Sequence, residues 1–546
     1  MTTSVFVTNL LWTLLLVNWV AEWNWKEKFA DWSPNYLLHA FLVLLGVHLL
    51  WLIGTSNMEY ALFDLQKKIP LFVIPLVVLT SRPLEHKERL SVAILYVTTV
   101  WVVSIIGLVR YLTIPDLPYR DIVPYISHIR FGLNVCMVLV MLVYAAFYYR
   151  RLWCYLLSLL LSIWFCLFLL ILHAYTAFII LLVTSLVLLF VYGRHLPRKP
   201  RLRVKVLFLA VLLALGALVG WYVDGYYRLQ PLSTEPLQSY TANGNPYQHL
   251  QDGVIENGNY IHIYICEEEM RQQWAKMSDC PLDSLTPIGY PVYPALLRYL
   301  GAMGVTKDSV GMSHLTPADV AAIEKGIANP VYLQPGLRKM FYVLFYEYEN
   351  YRCYHNVNNF SVLQRFELWS AGWQVFLQHP LLGVGTGDVV DACHKQLADS
   401  QSPMSDTQLH THNQYLNFLV AFGIVGFLLI VFFFARAIWL LLRVPARSGT
   451  LNPQSTILFV AFLCIVLISF ISEDTLETLA GITFTVMGFT LLSRGVLPCT
   501  PENGVPPCTS ENGVLPCTPE NGVPPCTSEN GVPPCTSENG VPPLRQ

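Results

Sequence analysis

The apolar residues of this chain fall in long blocks and do not recur at the period of an amphipathic helix or strand. A helix needs roughly 20 mainly apolar residues to cross the hydrocarbon core of a bilayer. The blocks therefore predict an all-α polytopic membrane protein with about eleven transmembrane helices, the range being ten to twelve. The predicted spans are 4–21, 35–54, 67–81, 89–111, 127–148, 151–172, 174–192, 203–222, 412–442, 454–472 and 474–495.

The spans divide the chain into four predicted parts. Residues 1–222 should form a bundle of about eight helices, and residues 412–495 one of about three. The segment between them, 223–411, is long enough to be a domain of its own. The end of the chain, 496–546, repeats a nine-residue unit such as PCTPENGVP five times. Its Pro, Gly, Ser and Asn residues offer nothing to bury, so we expect a disordered tail.

The loop domain carries helical signals and no strong run of strands. Thr316 is a good N-cap and Pro317 suits a first turn, which predicts a helix reaching about residue 328. Ser361 opens a capping box for a second helix that should end at His379. The loop domain is therefore expected to be mainly helical.

The side of the membrane on which each loop lies follows from its Lys and Arg residues, which favour the cytoplasm. The loop after the seventh predicted span is strongly basic: Arg194, Arg198, Lys199, Arg201, Arg203 and Lys205. By contrast, Glu473 and Asp474 make the last outer loop acidic. The first span lacks a basic leader and a cleavage site, so we interpret it as retained. This orientation predicts a bacterial inner-membrane protein whose 223–411 loop is periplasmic and whose C-terminus is cytoplasmic.

Composition agrees with the membrane interpretation. Hydrophobic residues make up 54% of the chain, charged residues make up 13%, and the net charge is −2, so no nucleic-acid partner is expected. Of thirteen cysteines, five fall in the tail, where we expect reduced thiols without a metal. Four lie in the loop domain, where two disulfides and unpaired thiols are both open: Cys266, Cys280, Cys353 and Cys393.

A non-catalytic transporter is one possible function. Transporters place ionisable or unwound segments near the bilayer midplane. The polar residues noted within the spans, His39, His48 and Asn134, are each expected to hydrogen-bond between helices instead. Polar, aromatic and basic residues gather in the loop domain, which favours chemistry at the outer surface.

One polar patch contains three closely spaced glycines, Gly383, Gly385 and Gly387. They lack the ending of a phosphate loop and the spacing of a dinucleotide site, which excludes nucleotide binding. A nest of backbone N–H groups that binds an anion stays open.

A second patch, His410 to Leu416, lies directly before the ninth span. Thr411 and Gln414 fit a capping box, which would place His412 in the first turn of a membrane helix. A neutral imidazole there could accept a proton. A local structural hydrogen bond is the alternative role. A zinc set of Cys393, His394, His410 and His412 matches no usual ligand spacing.

The second patch also carries a family resemblance. His412 and Asn413, then nine residues, then Gly423-Ile424-Val425-Gly426 resemble the H-N-x9-G-x-x-G motif of the O-antigen ligase family. The block from Arg365 through Trp369 to the glycines resembles the segment upstream of that histidine. The resemblance covers about 361–427 and does not separate ligases from the related O-antigen polymerases.

Members of this family are membrane glycosyltransferases that attach a glycan linked to undecaprenyl diphosphate to lipid A–core. The resemblance implies an all-helical fold, an active site where the outer loop meets the membrane, and no metal or other cofactor. Arg365 matches the arginine that contacts the diphosphate, and His412 matches the essential histidine, which would deprotonate the acceptor with inversion at the sugar carbon. His410 and Asn413, beside it, are further candidates for substrate binding.

The sequence departs from the family at one point. A second arginine is usual at an outer turn between adjacent spans, but here that turn carries His173 and Tyr175. Either of them could donate to a phosphate more weakly, and Arg130, at the outer start of the fifth span, is the other candidate replacement. The functions left open are a ligase, a polysaccharide polymerase, and a transporter of lipid-linked glycan.

Overall fold

The structure, a computed structural model, describes residues 5–29, 35–115, 117–192, 198–228, 237–250, 254–334, 337–354, 357, 361–448 and 453–496. From residue 497 onward, the predicted disordered tail lies outside these residues.

Helices dominate the described parts of the chain. In chain order they are α1 Val5–Ala21, α2 Trp25–Lys28, α3 Tyr36–Leu50, α4 Met58–Thr80, α5 His86–Thr113, α6 His128–Tyr149, α7 Leu152–Ile171, α8 Tyr175–Tyr192, α9 Arg198–Tyr227, α10 Glu267–Met277, α11 Val292–Met303, α12 Ser309–Met312, α13 Pro317–Glu324, α14 Leu337–Tyr354, α15 Ser361–Gln378, α16 Val389–Asp399, α17 Gln414–Ser448, α18 Pro453–Ser472 and α19 Leu479–Val496. Short 3₁₀ turns occupy Tyr119–Asp121, Pro330–Leu333 and Thr475–Glu477. Two antiparallel strands, Ile255–Glu256 and Asn259–Tyr260, complete the fold.

Each predicted span coincides with a helix, and the protein is a mainly helical, multi-pass membrane protein. Five helical stretches are long and apolar enough to cross a bilayer by length and composition: His86–Thr113, His128–Tyr149, Leu152–Ile171, Leu209–Tyr227 and Gln414–Arg443. Five further apolar helices are shorter. The full count of about eleven spans and their orientation stay predictions.

The third and eleventh predicted spans have wrong starting points. Helix α4 begins at Met58, well before residue 67, and continues through Pro70 and Pro75. Its early turns contain charged side chains that pair with each other in the interior, so they do not end the helix. Conversely, α19 begins only at Leu479, because the preceding residues form an irregular acidic segment.

Aromatic and aliphatic side chains pack the membrane bundle around one core. Helix α17 lies along α3, α19 lies along α4, and α18 contacts α6, α8 and α19. The ring of Phe41 stands edge-on to Phe434 at 5.1 Å, and both rings contact Phe489. Asn134 accepts a hydrogen bond from the Tyr96 hydroxyl at 2.9 Å, as expected for a polar residue between helices.

The first part of the loop domain has a separate core, in which Trp274 and Tyr299 are almost fully buried. Thr316 caps α13 by accepting from the Asp319 N–H, as predicted. The helix ends at Glu324 and not near residue 328, because Gly326 takes a left-handed φ of +88°.

The cysteines whose side chains the structure describes are all free thiols. Cys266, Cys280 and Cys393 of the loop domain are therefore unpaired, which contradicts the arrangement with two disulfides. The side chain of Cys353 lies outside the described residues.

Candidate active site

Four segments far apart in sequence meet at one end of the membrane bundle. Arg130 comes from the first turn of α6, Arg365 from the second turn of α15, and His412 from the turn that precedes α17. The fourth segment links α18 to α19 and supplies Glu473 and Asp474. We call these five residues the arginine–carboxylate cluster.

Ion pairs hold the arginine–carboxylate cluster together. Arg365 donates to one oxygen of Glu473 at 2.9 Å, and the other oxygen lies 3.7 Å from Arg130. Arg130 also donates to Asp474 at 3.2 Å. Nδ1 of His412 lies 3.6 Å from that same Asp474 oxygen, which is an ion-pair distance and too long for a hydrogen bond. Two cations thus face two anions, with an imidazole at the edge.

Burial sets the electrostatics of the two carboxyl groups. Glu473 and Asp474 are only 4% and 5% exposed. Burial raises the pKa of Glu473, even though Arg130 and Arg365 act in the opposite direction. Burial alone would also raise the pKa of Asp474, but the nearby His412 and Arg130 outweigh it and lower that pKa.

Several buried donors in the cluster and on the adjoining turn of α15 lack an acceptor among the described residues. They are Nε of Arg130, Nε of Arg365 and the indole Nε1 of Trp369, which lies one turn after Arg365 on α15. Buried N–H groups are rarely left unpaired, because losing their hydration is costly. An anion with several oxygen atoms would supply the missing acceptors.

His412 occupies an unusual backbone conformation. Its φ is +51°, in the left-handed region that non-glycine residues seldom adopt. The side-chain oxygen of Asn413 caps α17 by accepting from the Leu416 N–H at 3.0 Å, while Thr411 donates to the Asn413 carbonyl at 3.0 Å. The predicted cap at Thr411 and the predicted place of His412 inside the helix are therefore wrong. Since the Asn413 oxygen serves the cap, this residue has a structural task.

His410 lies in a second, partly buried network. The Tyr60 hydroxyl is 2.9 Å from its Nε2. Nearby, Lys68 pairs with Asp64 at 2.6 Å and with Glu477 at 2.8 Å. Lys68 lies in a predicted span, and Asp64 lies one turn before it. The bundle therefore contains more ionisable residues than we expected when we weighed a transporter from the sequence.

Glu477 connects this buried network to the arginine–carboxylate cluster. It accepts hydrogen bonds from the side-chain amides of Gln414 at 3.0 Å and Asn417 at 2.8 Å. Gln414 also accepts from the Leu476 N–H at 2.8 Å. These bonds fix the start of α17, and with it His412, against the segment that carries Glu473 and Asp474.

The glycine-rich loop makes contacts within the protein. The N–H groups of Val384 and Gly385 donate to the carbonyls of Val420 and Ala421, both at 2.9 Å. In return, the Ile424 N–H donates to Pro380 at 2.8 Å. The carbonyls of Val420 and Ala421 and the N–H of Ile424 can bond to the loop because α17 is interrupted at Gly423, which has φ +61° and ψ −170°.

Because these N–H groups already have partners, the predicted anion nest is wrong at Val384 and Gly385. The loop from Pro380 to Gly385 instead crosses α17 and satisfies the backbone groups that the interruption exposes, as buried backbone in a membrane requires.

Of the replacements considered for the second arginine, the structure brings Arg130 to the cluster. Tyr175 lies beside His173 in a stacked pair, with ring centroids 5.9 Å apart, at the α7–α8 turn. No contact described for Tyr175 joins it to either arginine.

A metal ion fits the cluster poorly. His412, Glu473 and Asp474 each offer a ligand atom within 4.8 Å of the others. However, Arg365 and Arg130 already pair with these carboxylates, so a divalent cation would lie beside two guanidinium charges. The zinc set named from the sequence does not gather, since Cys393 is buried in the bundle core.

Comparison with known proteins supports the resemblance. Residues 326–431 match the model of the family described as O-antigen ligase. The match includes Arg365, His412 and the paired glycines of the motif, but neither Arg130 nor the acidic segment. No curated protein matches the chain. The resemblance to the O-antigen ligase superfamily is thus confirmed over this stretch, and it supports a membrane function of the O-antigen ligase or polymerase type.

Proposed function

We propose that this protein is a glycosyltransferase of the bacterial inner membrane that transfers a glycan from undecaprenyl diphosphate to an acceptor such as lipid A–core, on the periplasmic face. The observation that carries the proposal is the meeting of Arg130 and Arg365 beside His412. Among the described residues, the buried Nε–H of each arginine has no acceptor. The match to the O-antigen ligase family supports the same class of reaction.

The two arginines would bind the donor diphosphate. A guanidinium is planar and can pair with two phosphate oxygens at once, which a lysine ammonium cannot do in the same geometry. The indole N–H of Trp369 would add a third donor from the same face of α15. Because the guanidinium charges offset the charge of the departing diphosphate, the reaction would need no metal ion.

His412 would accept the proton of the acceptor hydroxyl. The acceptor oxygen forms a bond to the anomeric carbon while the bond from that carbon to the phosphate oxygen breaks. The electron pair of the broken bond goes to the diphosphate, and attack from the opposite face inverts the configuration. Asp474, 3.6 Å from Nδ1 of His412, would stabilise the imidazolium that forms.

Single substitutions test this assignment in a transfer assay with purified protein and lipid-linked glycan. Arg365→Ala and His412→Ala should each lower the rate at least about 100-fold, as the loss of an oriented charge or base usually does. Arg365→Lys should recover little of the lost rate. Arg82→Ala is the matched control, because Arg82 is 67% exposed and pairs only with Glu88. Near-normal transfer by His412→Ala would mean that the histidine is structural.

Deleting the gene separates a ligase from a polymerase. Without a ligase, long glycan should accumulate on the lipid carrier while the surface lipid ends at bare core. Core capped by a single repeat unit would identify a polymerase instead and leave the roles of Arg365 and His412 unchanged. We favour the ligase because the H-N-x9-G-x-x-G arrangement is intact from His412 to Gly426.

A transporter of lipid-linked glycan is less well supported. Charged groups inside the bundle contact each other: Lys68 pairs with both Asp64 and Glu477, and all three are at most 5% exposed. Purified protein that moves the glycan lipid between leaflets without forming product would favour this function.

A further inference from the structure

We propose that donor binding is coupled to the uptake of one proton by Glu473, which gives up its place on Arg365 to the diphosphate. This inference rests on the proposed function and assigns a role to a residue outside the family match. The proton comes from bulk water. Glu473 returns it when the lipid diphosphate product leaves and the ion pair forms again.

The first step of the argument is the charge of the resting cluster. Arg130 and Arg365 contribute two positive charges, and Glu473 and Asp474 contribute two negative charges, so the cluster is balanced before the donor arrives. All four side chains are between 6% and 18% exposed, which limits screening by water. In this state each carboxylate occupies a position on a guanidinium that a phosphate oxygen would need.

The second step is the charge added by the donor. Both phosphates of a glycosyl diphosphate lipid are ionised at neutral pH. As the phosphates engage the two guanidiniums, each carboxylate loses part of its pairing, and the site gains negative charge that is not compensated. Leaving such charge buried is costly, and protonation of a carboxylate is the usual remedy.

The third step decides which carboxylate takes the proton. Arg365 is the nearest cation to Glu473, at 2.9 Å, and the remaining cation, Arg130, is 3.7 Å away. Asp474 keeps His412 at 3.6 Å as well as Arg130 at 3.2 Å. Glu473 therefore loses more of its stabilisation by positive charge than Asp474 does when the diphosphate binds. The groups that face it are Arg130 on α6, Arg365 on α15, and Asp474 and His412 beside it.

Burial already raises the pKa of Glu473 in the resting cluster, and loss of its contact with Arg365 would shift that pKa further in the same direction. With Glu473 neutral, Asp474 stays ionised next to His412. The imidazole then remains free to accept the proton of the acceptor hydroxyl, and the charge that would stabilise its cation remains in place.

Calorimetry measures the coupling directly on the full-length protein in detergent. The probe is a short-chain polyprenyl diphosphate N-acetylglucosamine. Each of its phosphates carries one ester and one anhydride bond, so neither titrates near neutral pH. Binding is titrated without acceptor, in two buffers that differ in ionisation enthalpy. The difference in heat gives the number of protons taken up, which should be about one at pH 7. The dissociation constant should rise with pH, by up to about tenfold per unit.

Glu473→Gln should abolish the proton uptake and the pH dependence, and it should tighten binding at pH 8 by roughly tenfold, because a competing carboxylate has been removed. Glu88→Gln is the matched control: Glu88 pairs with Arg82 outside the cluster and should leave both quantities unchanged.

The outcomes separate the two proposals. Binding that is equally exothermic in both buffers, with a dissociation constant independent of pH, would overturn the proton coupling and leave the proposed function intact. No binding at all by wild-type protein, or equal binding by Arg365→Ala, would contradict the donor site itself. The wild-type titration needs no variant, so misfolding of Glu473→Gln would not prevent a decision.

Discussion

Replacing Gly423 by alanine tests whether the glycines of the family motif serve the architecture of α17. Gly423 has φ +61° and ψ −170°, a combination that is almost restricted to glycine. A Cβ atom there would lie 2.3 Å from the carbonyl oxygen of Leu381 and 2.4 Å from its carbon, both of which are backbone atoms that cannot rotate away.

The cost of Gly423→Ala follows from the crossing between the loop and the helix. Backbone strain at such a position is worth about 1–3 kcal/mol. Relief of the clash would pull the loop from α17 and weaken the bonds from Ile424 to Pro380 and from Val425 to Leu381, each worth about 1 kcal/mol. The expected loss of stability is therefore about 2–5 kcal/mol.

The assay is the temperature at which detergent-solubilised protein loses its monodisperse gel-filtration peak. Gly423→Ala should lower this temperature clearly. Gly46→Ala is the matched control, since Gly46 lies inside helix α3 with nothing within 4 Å of its would-be Cβ atom. That change should be neutral or stabilising by up to about 1 kcal/mol. If Gly423→Ala kept wild-type stability but lost donor binding, the glycine would serve the ligand, and our assignment of the crossing would be refuted.

Three further predictions concern pH, topology and metals. Burial raises the pKa of Glu347 to about 7 from an ordinary 4.5. The unfolded chain therefore releases this proton at lower pH than the folded chain does. The free energy of unfolding should fall as pH rises between these two values. Glu347→Gln should remove that fall and raise stability at pH 8 by roughly 1 kcal/mol after allowance for solvent screening. Thermal midpoints at pH 5 and pH 8 would detect the change. If the difference between the two midpoints were the same in Glu347→Gln as in the wild type, the role of Glu347 would be refuted. In intact spheroplasts, a membrane-impermeant thiol reagent should label Thr316→Cys and spare Lys199→Cys, and the reverse pattern would overturn the proposed orientation. Transfer should continue in excess chelator, and its loss would point to a cation at His412, Glu473 and Asp474 despite the neighbouring arginines.

The helices could be predicted from the sequence because their signal is local. Long apolar blocks locate a helix without reference to the rest of the chain, and the helix from Ser361 to Gln378 ends where His379 and Pro380 predicted. The start of α4 was missed because Asp64 and the polar residues near it precede the apolar block, as the residues of a loop would. Asp64 is compatible with the interior because it pairs with Lys68, which in turn contacts Glu477 in a distant segment.

The candidate site was predictable only in part, for a related reason. The family motif pointed to Arg365 and His412, and the departure from that motif directed attention to Arg130. From the sequence, Glu473 and Asp474 only indicated which side of the membrane their loop occupies. Their pairing with arginines 108 and 344 positions away leaves no periodic trace in the sequence. The left-handed turn at His412 was hidden because Thr411 and Asn413 are both good capping residues, and only the fold decides between them.

The first part of the loop domain, 254–328, packs around a core of its own and contributes no residue to the arginine–carboxylate cluster. Helices α15 and α16 differ in this respect, because Val375 and Val389 join the core of the membrane bundle. The proposed donor site and this part of the loop domain are therefore built from different residues around different cores. Such a division would let evolution remodel 254–328 while the contacts of the arginine–carboxylate cluster stay the same.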